Sequence, residues 1–128
     1  MRKVIILLLS VLMLSFMASC RGERSVKVTV QYDKLWTAWL GAGDNTRTLN
    51  GYYAETVDLG DYKDKVEIVA WRDVAPQQND TMRVAILEEY KPGFLYTANT
   101  YVKAEASATT NTVIPVDTMY DFKKDFNQ

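Results

Sequence analysis

Cys20 closes the run Met17-Ala18-Ser19 at the end of an apolar stretch that begins at Val4, and it is the only thiol in the chain. Small residues just before a cysteine, behind a basic head and an apolar segment, suit leader removal followed by acylation of the sulfur. Other groups able to do chemistry are few. The 128 residues contain no histidine, which removes the commonest general base and metal ligand. Once a leader ending at Ser19 is removed, Ser25 and Ser107 are the remaining serines, and neither lies in a nucleophile-elbow setting. Glu88 and Glu89 are adjacent, so on a strand they point to opposite faces and make poor partners across one substrate. A solvated strand end accounts for them better. Asp58, Asp61 and Asp64 could offer oxygen ligands to Ca²⁺, yet Lys63 and Lys65 interleave them and the spacing is not that of an EF-hand. No glycine-rich phosphate loop is present. The chain is therefore expected to carry no catalytic residue, no metal and no cofactor.

The leader must be weighed against a membrane-spanning helix. Arg2 and Lys3 form its basic head, and the apolar run from Val4 to Met17 stops at the polar segment Arg21-Gly22-Glu23-Arg24. A span needs about 20 apolar residues, so a cleaved signal over residues 1–19 is the better reading. Ala18-Ser19-Cys20 resembles the lipobox of bacterial lipoproteins, with Met17 where leucine is usual. That resemblance implies that Cys20 becomes the first residue and is acylated, with palmitate-type chains holding the protein in the outer membrane of a bacterial cell envelope. Each buried methylene of such a chain contributes about 0.8 kcal/mol, so two or three chains hold where one does not. Arg21-Gly22-Glu23-Arg24 lacks the acidic run that would resemble a surface-export tag, so a periplasm-facing anchor fits as well as a surface-facing one.

Residues 20–128 are the size of one domain. Loss of Arg2 and Lys3 leaves thirteen basic residues against sixteen acidic ones. The bases are scattered singly except for Lys123-Lys124, which Asp121 and Asp125 flank, so nucleic acid is not an expected partner. With the one thiol acylated no disulfide can form, and apolar packing must hold the domain.

The period along the mature chain is two. Val26, Val28, Val30 and Tyr32 alternate with Lys27, Thr29, Gln31 and Asp33, which places the apolar set on one face of a strand. Tyr53, Glu55 and Val57 continue toward Leu59, and Gly60 to Asp64 supplies a turn before the β-branched run Val66 to Trp71. Ala75 to Asp80 reads as a polar loop, and Met82 to Glu89 as another strand whose faces are not cleanly sorted. Lys91-Pro92-Gly93 carries turn chemistry ahead of Phe94-Leu95-Tyr96. Tyr101 to Ala106 alternates again, with Val102, Ala104 and Ala106 opposite Lys103 and Glu105. Val113-Ile114-Pro115-Val116 contains a proline that cannot donate to a ladder, which suits an edge or a strand end. The segment Asp33 to Leu40 stays open: Leu35, Trp36, Trp39 and Leu40 share a helical face before Gly41, but a strand or a loop fits as well. The expected fold is all-β, an antiparallel sandwich of about seven strands of transthyretin or immunoglobulin type. A tether at 20–25, a sandwich over 26–122 and a tail at 123–128 complete the division.

Aromatic residues carry the remaining signal. Trp36 and Trp39 lie close together, Tyr52 and Tyr53 are adjacent, and Trp71 ends a strand. Exposed indoles stack on sugars, because they offer rigid apolar area with a polar edge, which makes Trp36 and Trp39 candidate ligand-binding residues and glycan a candidate ligand. Filling the core is the competing role, and it is the favoured one for all three, most strongly for Trp71.

The lipobox, the strand Val26-Lys27-Val28-Thr29-Val30, the segment Leu59 to Trp71 with its Gly60-Asp61-Tyr62 turn and its Val69-Ala70-Trp71 ending, and Val116 to Tyr120 together resemble the N-terminal domain of fimbrillin-type lipoproteins of Bacteroidota-type bacteria. Members of that family usually pair two such domains, and the similarity covers the first. It implies an anchor or accessory subunit of surface fimbriae, held by Cys20 and joined to a protein partner through a strand edge. The function expected is thus a lipid-anchored, non-catalytic module with a structural, adhesive or fimbrial role. A small ligand- or glycan-binding lipoprotein, or a protein inhibitor in the envelope, stands as the alternative.

Overall fold

Valine at every second position gives the first strand a face that only a core can satisfy, and the computed structural model builds the whole domain on that alternation. It describes residues 23–75, 79–93, 97–109 and 115–123. The strands are β1 (Glu23–Gln31), β2 (Leu35–Ala42), β3 (Asn45–Tyr52), β4 (Glu55–Gly60), β5 (Lys65–Arg72), β6 (Thr81–Lys91), β7 (Asn99–Thr109) and β8 (Val116–Asp121). They form two four-stranded sheets, β4-β1-β6-β7 and β3-β2-β5-β8, and every pairing is antiparallel. Packed face to face, the sheets make an all-β sandwich, as the periodicity predicts.

Among the described residues eight strands stand where the periodicity predicts about seven. The addition is β3, whose inward positions Arg47, Leu49 and Gly51 oppose Leu40, Ala38 and Trp36 of β2 and give no apolar alternation to read. The open segment resolves as a strand: Trp36, Ala38 and Leu40 are buried while Leu35, Thr37 and Trp39 face outward. Apolar side chains on both faces are what imitated a helical period. Glu23, Arg24 and Ser25, read as part of a tether, pair with Lys91, Tyr90 and Glu89 of β6, so β1 begins ahead of the expected boundary at 26. Phe94-Leu95-Tyr96 and Val113-Ile114 lie outside the described residues.

Two bulges adjust the register. In β4, Val26 opposes Gly60 and Lys27 opposes Asp58, so Leu59 is the extra residue. In β7, Ile86 opposes Ala104 and Leu87 opposes Val102, so Lys103 is the extra residue. That insertion inverts the expected side of Val102: Ala104 and Ala106 pack against the core, but Val102 turns outward beside Leu87 and is 54% exposed.

The core runs through Val26, Val28, Val30, Trp36, Leu40, Val66, Ile68, Met82, Val84, Ile86 and Phe122. An arginine of inward parity plugs each end. At one, Arg24 Nε donates to Glu88 (2.9 Å), Nη1 donates to the Tyr62 carbonyl (2.8 Å), and the guanidinium lies 4.9 Å from the centre of the Phe122 ring. At the other, Arg72 Nη2 donates to the carbonyls of Asp80 (3.0 Å) and Ala108 (2.9 Å). Charged, planar donors suit these ends, because a strand-end carbonyl without a ladder partner otherwise stays unsatisfied.

Candidate functional site

The structure separates the two tryptophans that the sequence grouped. Trp36 is 1% exposed, packed between the sheets, with its Nε1 donating to the Tyr53 carbonyl at 2.9 Å. It is core and offers no platform to a ligand. Trp39 faces outward from β2, half-buried, and lies flat on its own strand: a Cβ added to Gly41 would stand 2.6 Å from Trp39 Cη2. Trp71 faces outward too, against the core role favoured for it, because Val66, Ile68, Ala70 and Arg72 take the inward positions of β5. Cys20 lies outside the described residues.

The carboxylates do not converge. Glu88 points inward to Arg24, and Glu89 points outward to Lys27 Nζ at 2.9 Å, on opposite faces as adjacency demands. That hydrogen bond is the main reason the Lys27 ammonium is held above its ordinary range. Asp58 accepts from the Gly60 amide (2.8 Å) and from Ser25 Oγ (2.7 Å), which hold its carboxyl below the usual carboxylate range. Asp61 pairs with Arg24, and Asp64 accepts from the Lys65 amide. Among the described residues no group of three or more His, Cys, Asp or Glu side chains is placed to hold a metal ion.

A buried polar cluster went unread in the sequence. Tyr32, 4% exposed, donates its hydroxyl to Asp80 Oδ2, and the Arg72 guanidinium stands 5.4 Å from the centre of the tyrosine ring. Burial, then the bond to Asp80, pushes the Tyr32 hydroxyl up to about 12. Lys34 Nζ adds a bond to Asp80 at 3.3 Å from the rim. Tyr32 and Asp80 line a shallow cleft of about 550 Å³. Inward parity of Tyr32 and Arg72 was legible; the acid that joins them, in a loop, was not.

No family model, curated protein or solved structure matches this chain. The candidate surfaces therefore rest on this chain's own geometry, and two of them stand out.

The first is the free edge of β7. This strand is eleven residues long, pairs with β6 on one side, and among the described residues is hydrogen-bonded to no strand on the other, although Lys103 reaches over the Tyr120 ring of β8. Its exposed end presents Tyr101 (49%) and Val102 (54%) next to Tyr90 (38%). Of the other edges, β3 has eight residues and outward Thr46, Thr48 and Asn50, β4 is short and bulged, and β8 is short and follows Pro115. Such shortening and bulging are ways of blunting an edge against further pairing, whereas a long strand with apolar side chains invites it.

The second is the outer face of the β3-β2-β5-β8 sheet. The outer face of the other sheet is an ordinary solvent face: Lys27 pairs with Glu89, Arg83 with Glu105, and Thr81 with Thr109. Here Trp39, Val69 and Trp71 occupy the central strands, with Leu35 (52% exposed), Tyr52 (50%) and Met119 (49%) around them. Tyr53 extends the patch, its ring 4.1 Å from that of Tyr52 and its backbone at φ 64°. A bulky residue in the left-handed region is an outlier that needs surrounding structure to hold it, and the bond from Trp36 Nε1 to its carbonyl supplies that hold.

Proposed function

We propose that this chain is a lipid-anchored, non-catalytic module of a bacterial cell envelope, moored through Cys20, that works by contact as a structural, adhesive or fimbrial accessory subunit. The observation that supports it best is the long free edge of β7, with Tyr101 and Val102 exposed on it. Added to that edge, an extended segment of a partner protein satisfies the unpaired backbone groups by antiparallel or parallel pairing, and alternate side chains find Tyr90, Tyr101 and Val102. The leader and the resemblance to fimbrillin-type lipoproteins supply the envelope address and the kind of assembly. The inward acids are committed to arginines that close the sandwich ends, which fits a scaffold rather than a reaction centre.

Photo-crosslinking in cells tests this reading directly. A crosslinking residue at Val102 or Thr100 is expected to capture a partner protein, while one at Thr56 on β4 captures none. Labelling with an alkyne fatty acid is expected to mark the protein and to fail in Cys20→Ala. Absence of label, or equal capture from β4 and β7, overturns the reading.

A further inference from the structure

We propose that the outer face of the β3-β2-β5-β8 sheet binds a neutral polysaccharide, with Trp39 and Trp71 as the stacking platforms. The face is distinct from the β7 edge, which belongs to the other sheet, so the two activities can be lost separately.

The geometry favours sugar for three reasons. Trp39 lies across Gly41, its six-membered ring over the place a side chain there would take, and it stays partly exposed on the outer face. A flat electron-rich ring is what the axial C–H groups of a pyranose require. Trp39 opposes Val69 in the β2–β5 pair, so Trp71 is its diagonal neighbour, within reach of a large aromatic side chain, and Leu35 and Tyr52 prolong the line. An extended row of rings suits a chain molecule.

Polar groups stand between the rings with capacity to spare. Thr37 Oγ1 lies within hydrogen-bonding distance of both Asn50 Oδ1 and Asp73 Oδ2. One hydroxyl proton serves one of these acceptors, and a sugar hydroxyl can serve the other.

Charge selects among the occupants. Among the described residues the face carries Glu67, Asp73, Asp117 and Asp121 against the single base Lys65. Net negative charge opposes an anionic lipid surface, an acidic polysaccharide and a second copy of the same face, while carboxylates accept readily from the hydroxyls of an uncharged glycan.

The test is affinity electrophoresis of the full chain, solubilised in a polyoxyethylene detergent that carries no sugar, through gels containing a soluble glucan, mannan, galactan or xylan. Retardation by at least one of the four is expected, with affinity reduced about tenfold or more in Trp71→Ala and in Trp39→Ala, and recovered in part by Trp71→Phe. Circular dichroism confirms folding of each variant; should Trp39→Ala unfold by uncovering Gly41, Trp71→Ala and Trp71→Phe decide. Val102→Lys is expected to bind glycan normally, which separates this proposal from the edge reading. Migration unaffected by all four polysaccharides, retardation that survives Trp71→Ala, retardation in alginate alone, or binding to phosphatidylglycerol vesicles in place of glycan overturns it.

Discussion

Trp36 and Gly51 face each other across the β2–β3 pair, and the indole fills the volume that a side chain on Gly51 would need. The same indole donates to the Tyr53 carbonyl and so fixes the turn into β4. Edge strand β3 is therefore held to the sandwich by one ring lying against one missing side chain.

Gly51→Ala is accordingly expected to destabilise the fold by about 1–3 kcal/mol through overpacking, and Trp36→Ala by about 3–5 kcal/mol through the cavity it leaves. Urea denaturation followed by circular dichroism measures both. Combined with Trp36→Phe, Gly51→Ala is expected to cost less than it does alone, because a smaller ring leaves room for the methyl. Strict additivity would show that the two positions do not share that space.

Most of the fold was legible where one face is apolar and the other is not. The valines of β1 and the β-branched run of β5 alternate without interruption, and both strands form where the period places them. Beta3 was unreadable because its inward residues are an arginine, a leucine and a glycine, the last chosen to admit a tryptophan from its neighbour. The β2–β3 hairpin did carry a signal: Gly43 at φ 59° followed by Asp44 is a two-residue Gly-X connection between Ala42 and Asn45. Trp71 was legible as well, since three inward positions before it fix its outward parity. Val102 was not, because a bulge at Lys103 leaves no mark in an alternating sequence.

The Tyr32 hydroxyl contributes a pH-dependent share of stability on the alkaline side. Its folded-state value of about 12 lies above the ordinary value of 10.0, so the folded state holds a proton that the unfolded state releases first. Its contribution is whole below pH 10 and is lost as pH rises from there toward 12. Tyr32→Phe removes the titrating group, so its stability is expected to fall less steeply across that window than that of the wild type, measured by urea midpoints at each pH. A parallel decline in both proteins would place the alkaline transition elsewhere.

Two ion pairs separate burial from mere proximity. Asp80 and Arg72 have side chains 4% and 0% exposed, while Arg83 and Glu105 are about half exposed. Asp80→Ala leaves the Arg72 guanidinium buried without its counter-charge and is expected to cost about 3–5 kcal/mol. Arg83→Ala removes a solvated pair and is expected to cost less than about 1 kcal/mol. Chemical denaturation of the two variants under one buffer gives the contrast, and equal losses would mean that Asp80 stays wet in solution.

Val102 tests whether the β7 edge is kept exposed for a partner. The bulge at Lys103 turns this side chain out of the core, so Val102→Lys removes no internal packing and is expected to change stability by less than about 0.5 kcal/mol. A lysine on an edge strand opposes pairing with a further strand, both by its charge and by its hydration. Capture of a partner by a crosslinker at Thr100 is therefore expected to fall sharply in Val102→Lys while the protein remains folded, acylated and abundant. If the partner is captured as well as before, the exposed valine is only a consequence of the bulge, and assembly runs through some surface other than this edge.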